Sequence, residues 1–231
     1  MFSTENTIRK ILKIMNFKDS IILVFAKTPV MGQVKTRLET VLGQQGALAL
    51  HKALMEKVVN TVKECDLSAM ELWVSSNKNH EYFVSLCNSM NIAEKDIHEQ
   101  RGDDLGARMA HAAADALQRA DYVILLGADC PSVDAEYLHQ ALQLLEGGED
   151  IVFGPAEDGG YVLLGLRLVA AEIFTEIPWG TAEVMQLTRQ RLLQSGKKWA
   201  ELPARWDVDR PEDLLRLRDL MPGFTQIQGP F

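Results

Sequence analysis

At 231 residues the chain suits one buried core and falls short of the roughly 250–300 residues at which cores divide, which excludes several large domains. With 47% hydrophobic and 24% charged residues it is neither disordered nor fibrous, and no apolar run approaches the about 18–20 residues that span a bilayer. A formal net charge of −8 argues against a nucleic acid partner, which calls for a broad basic face, so any anion must be held by a local cluster of cations.

Residues 1–19 are predicted to form an appended helix, because Ile8, Ile11, Leu12, Ile14 and Met15 interleave with Arg9, Lys10 and Lys13 at helical spacing rather than in a signal-peptide pattern. Residues 20–231 are expected to form a single cytoplasmic α/β domain, three layers deep, with a mostly parallel sheet. Ile21 to Phe25 reads as its first strand. That strand runs into a Pro/Gly loop carrying Lys27, Lys35 and Arg37. The first strand-to-helix loop of an open α/β protein is the usual place to hold phosphates. Lysine offers a mobile point charge and arginine a planar fork, so Lys35 and Arg37 suit a diphosphate or triphosphate. Gly32 stands alone and Lys35-Thr36 follows it by three residues, so the loop is neither a Walker A motif nor a GxGxxG turn.

Leu50, Leu54, Val58 and Val62 recur every four residues and predict a helix with one buried stripe. A strand over Glu71–Ser75, a helix over about Glu81–Met90 and a third helix from Leu105 to Leu117 follow, with the polar loop Gln100–Asp104 between the two helices. Tyr122–Leu126 is a continuous apolar run, as expected of a central strand buried on both sides, and Pro131 ends it. Asp134 is a plausible cap for a helix to Leu145. The strands Asp150–Phe153 and Tyr161–Leu166 form a hairpin-like insertion around Glu157-Asp158-Gly159-Gly160. Thr181 is expected to cap a helix over Ala182–Leu193, and Pro211 to begin a terminal one.

Among the carboxylates, Asp129 and Asp209 lie where apolar segments meet turns, and two such groups would hold a hard divalent cation at a transfer site. Each also admits a plainer reading, Asp129 as a turn residue and Asp209 as the cap of the proline-led helix. The glycines after Asp158 allow either close approach of a ligand or simply a tight turn. Trp179 would stack on a base or sugar, or be buried before its helix. The five histidines show no ligand spacing, and Cys65, Cys87 and Cys130 are expected as reduced thiols, with Cys130 buried rather than nucleophilic.

Taken together, Phe25-Ala26-Lys27-Thr28-Pro29, Gly32 to Leu38, Gly102-Asp103-Asp104-Leu105-Gly106-Ala107-Arg108-Met109, Gly127 to Pro131, Gly154 to Tyr161, Trp179-Gly180-Thr181 and Asp207-Val208-Asp209 resemble the radical-SAM/selenodomain-associated transferase family. This is a bacterial branch of the nucleotide-diphospho-sugar transferase superfamily, with the GT-A fold. The resemblance implies a nucleotide across the carboxyl edge of the first strands, with Mg²⁺ or Mn²⁺ between its diphosphate and Asp129 and Asp209. It implies that Ala26, Lys27, Gly32, Lys35, Thr36 and Arg37 handle phosphates, with Lys35 and Arg37 also catalytic, and that Gln100, Gly102, Asp103 and Gly106 lie near the base. Asp158, Gly159, Gly160 and Trp179 fall on the acceptor or sugar side, and Asp158 is the candidate catalytic base. Two reactions fit: glycosyl transfer from a nucleotide-sugar to a small-molecule acceptor, and nucleotidyl transfer from a nucleoside triphosphate to a phosphorylated small molecule. A non-catalytic nucleotide-binding module is the third reading.

Overall fold

The computed structural model describes residues 17–222, so the helix expected over 1–19 falls almost wholly outside the described residues. Seven strands form one sheet: β1 Ser20–Ala26, β2 Ala69–Val74, β3 Ile97–Glu99, β4 Tyr122–Gly127, β5 Ile151–Pro155, β6 Tyr161–Leu166 and β7 Trp199–Glu201. Their order is β3-β2-β1-β4-β6-β5-β7, and β6 alone runs antiparallel to its neighbours, as the β5–β6 insertion required. Six described helices cover the faces: α1 Glu39–Cys65, α2 Glu81–Met90, α3 Leu105–Ala116, α4 Ala135–Glu146, α5 Val184–Ser195 and α6 Asp213–Leu220. The architecture is the three-layer α/β/α arrangement of GT-A type, and no described helix is long and apolar enough to cross a membrane.

Strand alternation divides the core. Ile22 and Val24 face Met55, Val58, Val62, Phe83, Leu138 and Leu142 from α1, α2 and α4, while Ile21 and Leu23 face Met109, Ala112, Met185 and Leu192 from α3 and α5. A third cluster joins Leu38, Leu50 and Leu54 to Val208, Leu214 and Leu217. It draws the end of the chain against the loop after β1, which matters below.

Several local expectations met competition. Asp134 does cap α4, accepting from the Tyr137 amide at 2.8 Å. Thr181 does not cap α5, whose N-cap position is Glu183; the Thr181 hydroxyl donates to the Pro178 carbonyl and accepts from the Glu183 amide within the preceding turn. Pro211 likewise lies in a turn before α6, and the Asp213 carboxylate accepts from the amides of Asp209 and Arg210 at 2.9 and 2.7 Å. The short edge strands β3 and β7 each have only three residues and no readable alternation in the sequence.

The turn between β5 and β6 is held from three sides. Asp158 accepts from the Gly160 amide, Gly159 donates to the Ala156 carbonyl, and the Gly159 carbonyl accepts from Met185 at the start of α5. Gly159 has φ +94°, and a Cβ there would come within 2.3 Å of the Ala182 carbonyl oxygen. Gly159→Ala should therefore lower folding stability by about 2 kcal/mol or more, measured by urea denaturation.

Candidate functional site

The ends of β1, β2 and β4 are brought level by register. Ala26 pairs with Val74 and Phe25 with Gly127, and the next amides continue the ladder, Ser75 to the Ala26 carbonyl and Ala128 to that of Phe25. The loops that follow must therefore open onto one edge. There a cleft of about 650 Å³ is lined by Ala26, Lys27, Ser75, Ser76, Gln100, Arg108, Asp129 and Tyr161 among others, a volume suited to a nucleotide-sized ligand.

The β1 loop is tied down on both sides. The Thr28 hydroxyl donates to the Ser76 carbonyl at 2.7 Å, and Lys27 Nζ donates to the Gln33 carbonyl at 2.6 Å, closing the loop on itself. His51 of α1 is buried with Nε2 2.8 Å from the Lys27 carbonyl oxygen; burial and the neighbouring Lys35 and Lys27 charges lower its pKa, so the ring is neutral and donates that bond. Gly32 (φ 74°) and Lys35 (φ 49°) are both left-handed, and the chain then enters a 3₁₀ turn over Thr36–Leu38. This path buries the Lys35 stem and brings Nζ to 2.9 Å from Asp129 Oδ2. Burial opposes the lysine charge, but Asp129, Asp207 and Asp209 outweigh it and raise the Lys35 pKa. Burial opposes the Asp129 charge too, and Lys35 prevails there, holding the carboxyl below its ordinary range.

Arg37, two residues on, pairs with Asp209. Asp213 rather than Asp209 satisfies the amides before α6, so the Asp209 side chain is not a cap and is left to face the loop. The expected phosphate cations and the expected metal carboxylates are thus brought together as two ion pairs across one crevice. Thr36 is exposed beside them.

Asp207 completes the cluster, and sequence reading did not single it out. The flanking residues are stitched to the turn after β4: the Ser132 hydroxyl donates to the Trp206 carbonyl at 2.9 Å, and the Val208 amide donates to the Asp129 carbonyl at 3.3 Å. Burial, then the nearby Asp129 and Asp158 charges, push the Asp207 pKa up to about 6 against the pull of Lys35. Asp158 therefore belongs to the same electrostatic neighbourhood. Its turn is anchored by Arg216 of α6, which grips Glu157 at 2.6 and 2.9 Å and lies over the Trp206 ring. The only signal for Asp207 was its position in Asp207-Val208-Asp209, where strand-like alternation points two carboxylates the same way.

The remaining predicted positions divide. Gln100 lines the cleft, with Nε2 donating to the Trp73 carbonyl at 2.9 Å, whereas Gly102 receives Arg108 Nε at 3.0 Å and Asp103 is exposed. Gly106 packs under Trp179, and a Cβ there would lie 2.6 Å from the indole nitrogen. Trp179 in turn meets the Tyr161 ring at 6.1 Å with the two planes nearly perpendicular. Arg108, Ser75, Ser76 and Tyr161 are cleft residues that the sequence did not mark. Cys130 is buried, its thiol pushed up to about 12 by burial and donating to the Trp206 carbonyl, as a structural thiol would.

A metal would find an all-oxygen donor set at Asp129 and Asp207, with Asp209 and Asp158 near. Among the described residues no three His, Cys, Asp or Glu groups form a ready-made cage. All-oxygen donors are the ligand chemistry of hard divalent cations such as Mg²⁺ or Mn²⁺.

The profile of a bacterial family described as "Uncharacterized protein conserved in bacteria (DUF2064)" matches residues 58–181. The chain belongs to this family. A protein of Desulfovibrio desulfuricans G20 provisionally called a nucleotide-diphospho-sugar transferase has 28% identity and a TM-score of 0.75, over 90% of this chain and 98% of that one. Two more distant structures share the fold. CMP:2-keto-3-deoxy-manno-octonic acid synthetase, complexed with CTP, has 14% identity and a TM-score of 0.56 over 89% of this chain and 99% of its own. Glucosyl-3-phosphoglycerate synthase from Mycobacterium tuberculosis, in complex with Mg²⁺ and uridine-diphosphate, has 11% identity and a TM-score of 0.52 over 90% and 77%. No curated protein matches the chain by sequence.

The folded-state pKa of Asp207, raised from 3.8 to about 6, predicts a pH signature of the metal-free protein. Protonating Asp207 relieves its repulsion, so this contribution to stability is present below the ordinary carboxylate range and is lost as pH rises through about 6. Asp207→Asn should be more stable than the parent at about pH 7.5, and the gap should narrow by about 1 kcal/mol toward pH 5. Thermal melts of both proteins in chelator across that range measure it.

Proposed function

We propose that the protein is a metal-dependent transferase that moves a sugar from a nucleotide-diphospho-sugar to a small-molecule acceptor. The observation that carries this reading is the gathering of Lys35, Asp207, Asp209 and Arg37 around Asp129, which itself lines a nucleotide-sized cleft. The similarity to the D. desulfuricans protein supports it, as does a fold shared with proteins that hold CTP or UDP. The finer placement in the radical-SAM/selenodomain-associated branch is part of the same proposal and rests on the sequence motifs.

Charge balance supports the metal. Lys35 and Arg37 are already neutralised by Asp129 and Asp209, which leaves the loop short of free cations for a diphosphate. A divalent ion on Asp129 and Asp207 would supply that charge and stabilise the departing nucleoside diphosphate. Lys35 and Arg37 would then be drawn to phosphate oxygens, Lys27 and His51 would keep the loop closed, and the Gln100 side of the cleft would take the base. Asp158, on the β5–β6 turn at the same crevice, is the candidate to accept the acceptor's proton.

Nucleotidyl transfer is the second reading. It is favoured by the number of cations in the first loop, which would suit the crowded phosphates of a triphosphate. The products separate the two: pyrophosphate marks nucleotidyl transfer and nucleoside diphosphate marks glycosyl transfer.

Calorimetric titration with nucleoside diphosphates and Mn²⁺ tests the site. Lys35→Ala and Arg37→Ala should each weaken binding roughly 10- to 100-fold. Asp129→Asn should remove the divalent-ion dependence of binding. Parent-like affinity in both cation variants would overturn the loop assignment, and undiminished Mn²⁺ dependence would remove Asp129 from the site.

A further inference from the structure

Arg108 lies in the first turn of α3 and lines the cleft with Leu105 and Gln100, and it stays partly exposed, so a ligand in the cleft can reach it. Its side chain is tied at one point. Nε donates to the Gly102 carbonyl at 3.0 Å, and Gly102 (φ +141°) passes so close to α3 that a Cβ there would lie 2.7 Å from the Arg108 amide nitrogen. The two terminal nitrogens have no hydrogen-bond or ion-pair partner among the described residues. The cations of the β1 loop, in contrast, are spent: Lys35 on Asp129, Arg37 on Asp209 and Lys27 Nζ on the Gln33 carbonyl. Asp104, the nearest carboxylate on the same helix, caps α3 by accepting from the Ala107 amide at 2.7 Å and forms no ion pair with Arg108. A cation in the first turn of a helix also faces the positive end of the helix dipole, so its placement is unfavourable until an anion arrives.

We propose that Arg108 is a phosphate-binding residue of the cleft, whose terminal nitrogens grip two oxygens of one phosphate group of the ligand. The inference rests on the transferase reading above and adds to it a cation that comes from α3 rather than from the β1 loop. In that reading the anions entering the cleft are phosphates, carried by the nucleotide or by a phosphorylated second substrate. A guanidinium fixed at Nε presents its remaining donors as a planar fork, and such a fork matches two oxygens of one phosphate. Leu105, Met109, Phe25 and Leu125 are apolar members of the same lining, so the charge acts in a less polar setting than bulk water, where its attraction for an anion is stronger.

Arg108→Gln removes the charge and Arg108→Lys keeps it without the fork. The test compares both with the full-length parent in Mg²⁺, by calorimetry and thermal shift. The probes are UMP and UDP, GMP and GDP, CMP and CDP, and glucose 1-phosphate. Without ligand, both variants should melt within about 2 °C of the parent, because only one exposed hydrogen bond is lost. Arg108→Gln should lose roughly 10- to 100-fold in affinity for the probes whose phosphate it grips, and Arg108→Lys should recover only part of that loss. Equal loss on monophosphates and diphosphates assigns the contact to the α-phosphate, and loss confined to diphosphates assigns it to the β-phosphate. Loss confined to glucose 1-phosphate assigns it to the second substrate. Parent-like affinity of Arg108→Gln for every probe that the parent binds would overturn the proposal while leaving the transferase reading intact. Full recovery by Arg108→Lys would overturn the two-oxygen grip. A ligand-free Arg108→Gln that melts several degrees lower would also sink the proposal, because the guanidinium would then be a tie within the protein. A parent that binds none of the nucleotides would overturn the transferase reading and this inference together.

Discussion

The contact between Lys35 and Asp129 is the constraint on which the site depends. It joins the loop after β1 to the end of β4, two strands that are neighbours in the sheet but lie about a hundred residues apart in the chain. An ion pair buried on its lysine side only adds little net stability, because desolvation of the lysine and solvent screening at the aspartate offset most of the attraction. What it does is choose one conformation of the loop. The left-handed backbone at Lys35 and the neutral His51 beneath the Lys27 carbonyl are consistent with a loop held against local preference by its tertiary partners.

Around that pair the molecule concentrates charge that its composition spreads thinly. An acidic chain with a net charge of −8 nevertheless places Lys27, Lys35, Arg37 and Arg108 around a single edge, opposite Asp129, Asp158, Asp207 and Asp209. The raised pKa of Asp207 is the electrostatic record of that crowding: burial and its carboxylate neighbours exceed what Lys35 alone can balance. With Lys35 and Arg37 already paired to carboxylates, such an edge has little positive charge to spare for a polyphosphate, which is the physical reason to expect a cation to arrive together with one.

Much of this was legible in the sequence, and the exceptions have definite causes. The β1 strand and its loop, the apolar β4 run and its terminal Asp129, and the stripe of α1 were all readable because each follows from local periodicity or turn chemistry. The packing role of Gly106 in the first turn of α3 was not, because it is set by the approach of Trp179 from more than seventy residues away. Asp209 illustrates the same limit. Its local context allowed a helix cap or a site residue, and only the position of Asp213 decided that the cap lay elsewhere. Asp207 gained its importance from hydrogen bonds that flanking residues make to the turn after β4, which no local pattern encodes.

The sequence by itself determined the alternation of strands and helices, the strand ends at which the loops begin, and the kinds of side chain those loops carry. These follow from short-range physics: the two periods of burial, proline and glycine punctuation, and the chemistry of cations and carboxylates. Only the tertiary structure decided which carboxylate meets which cation and that Asp207 joins Asp129. Pairing of that kind depends on sheet register and on the packing of Leu38, Val208 and Leu217 across the ends of the chain, and those contacts exist only once the whole core has closed.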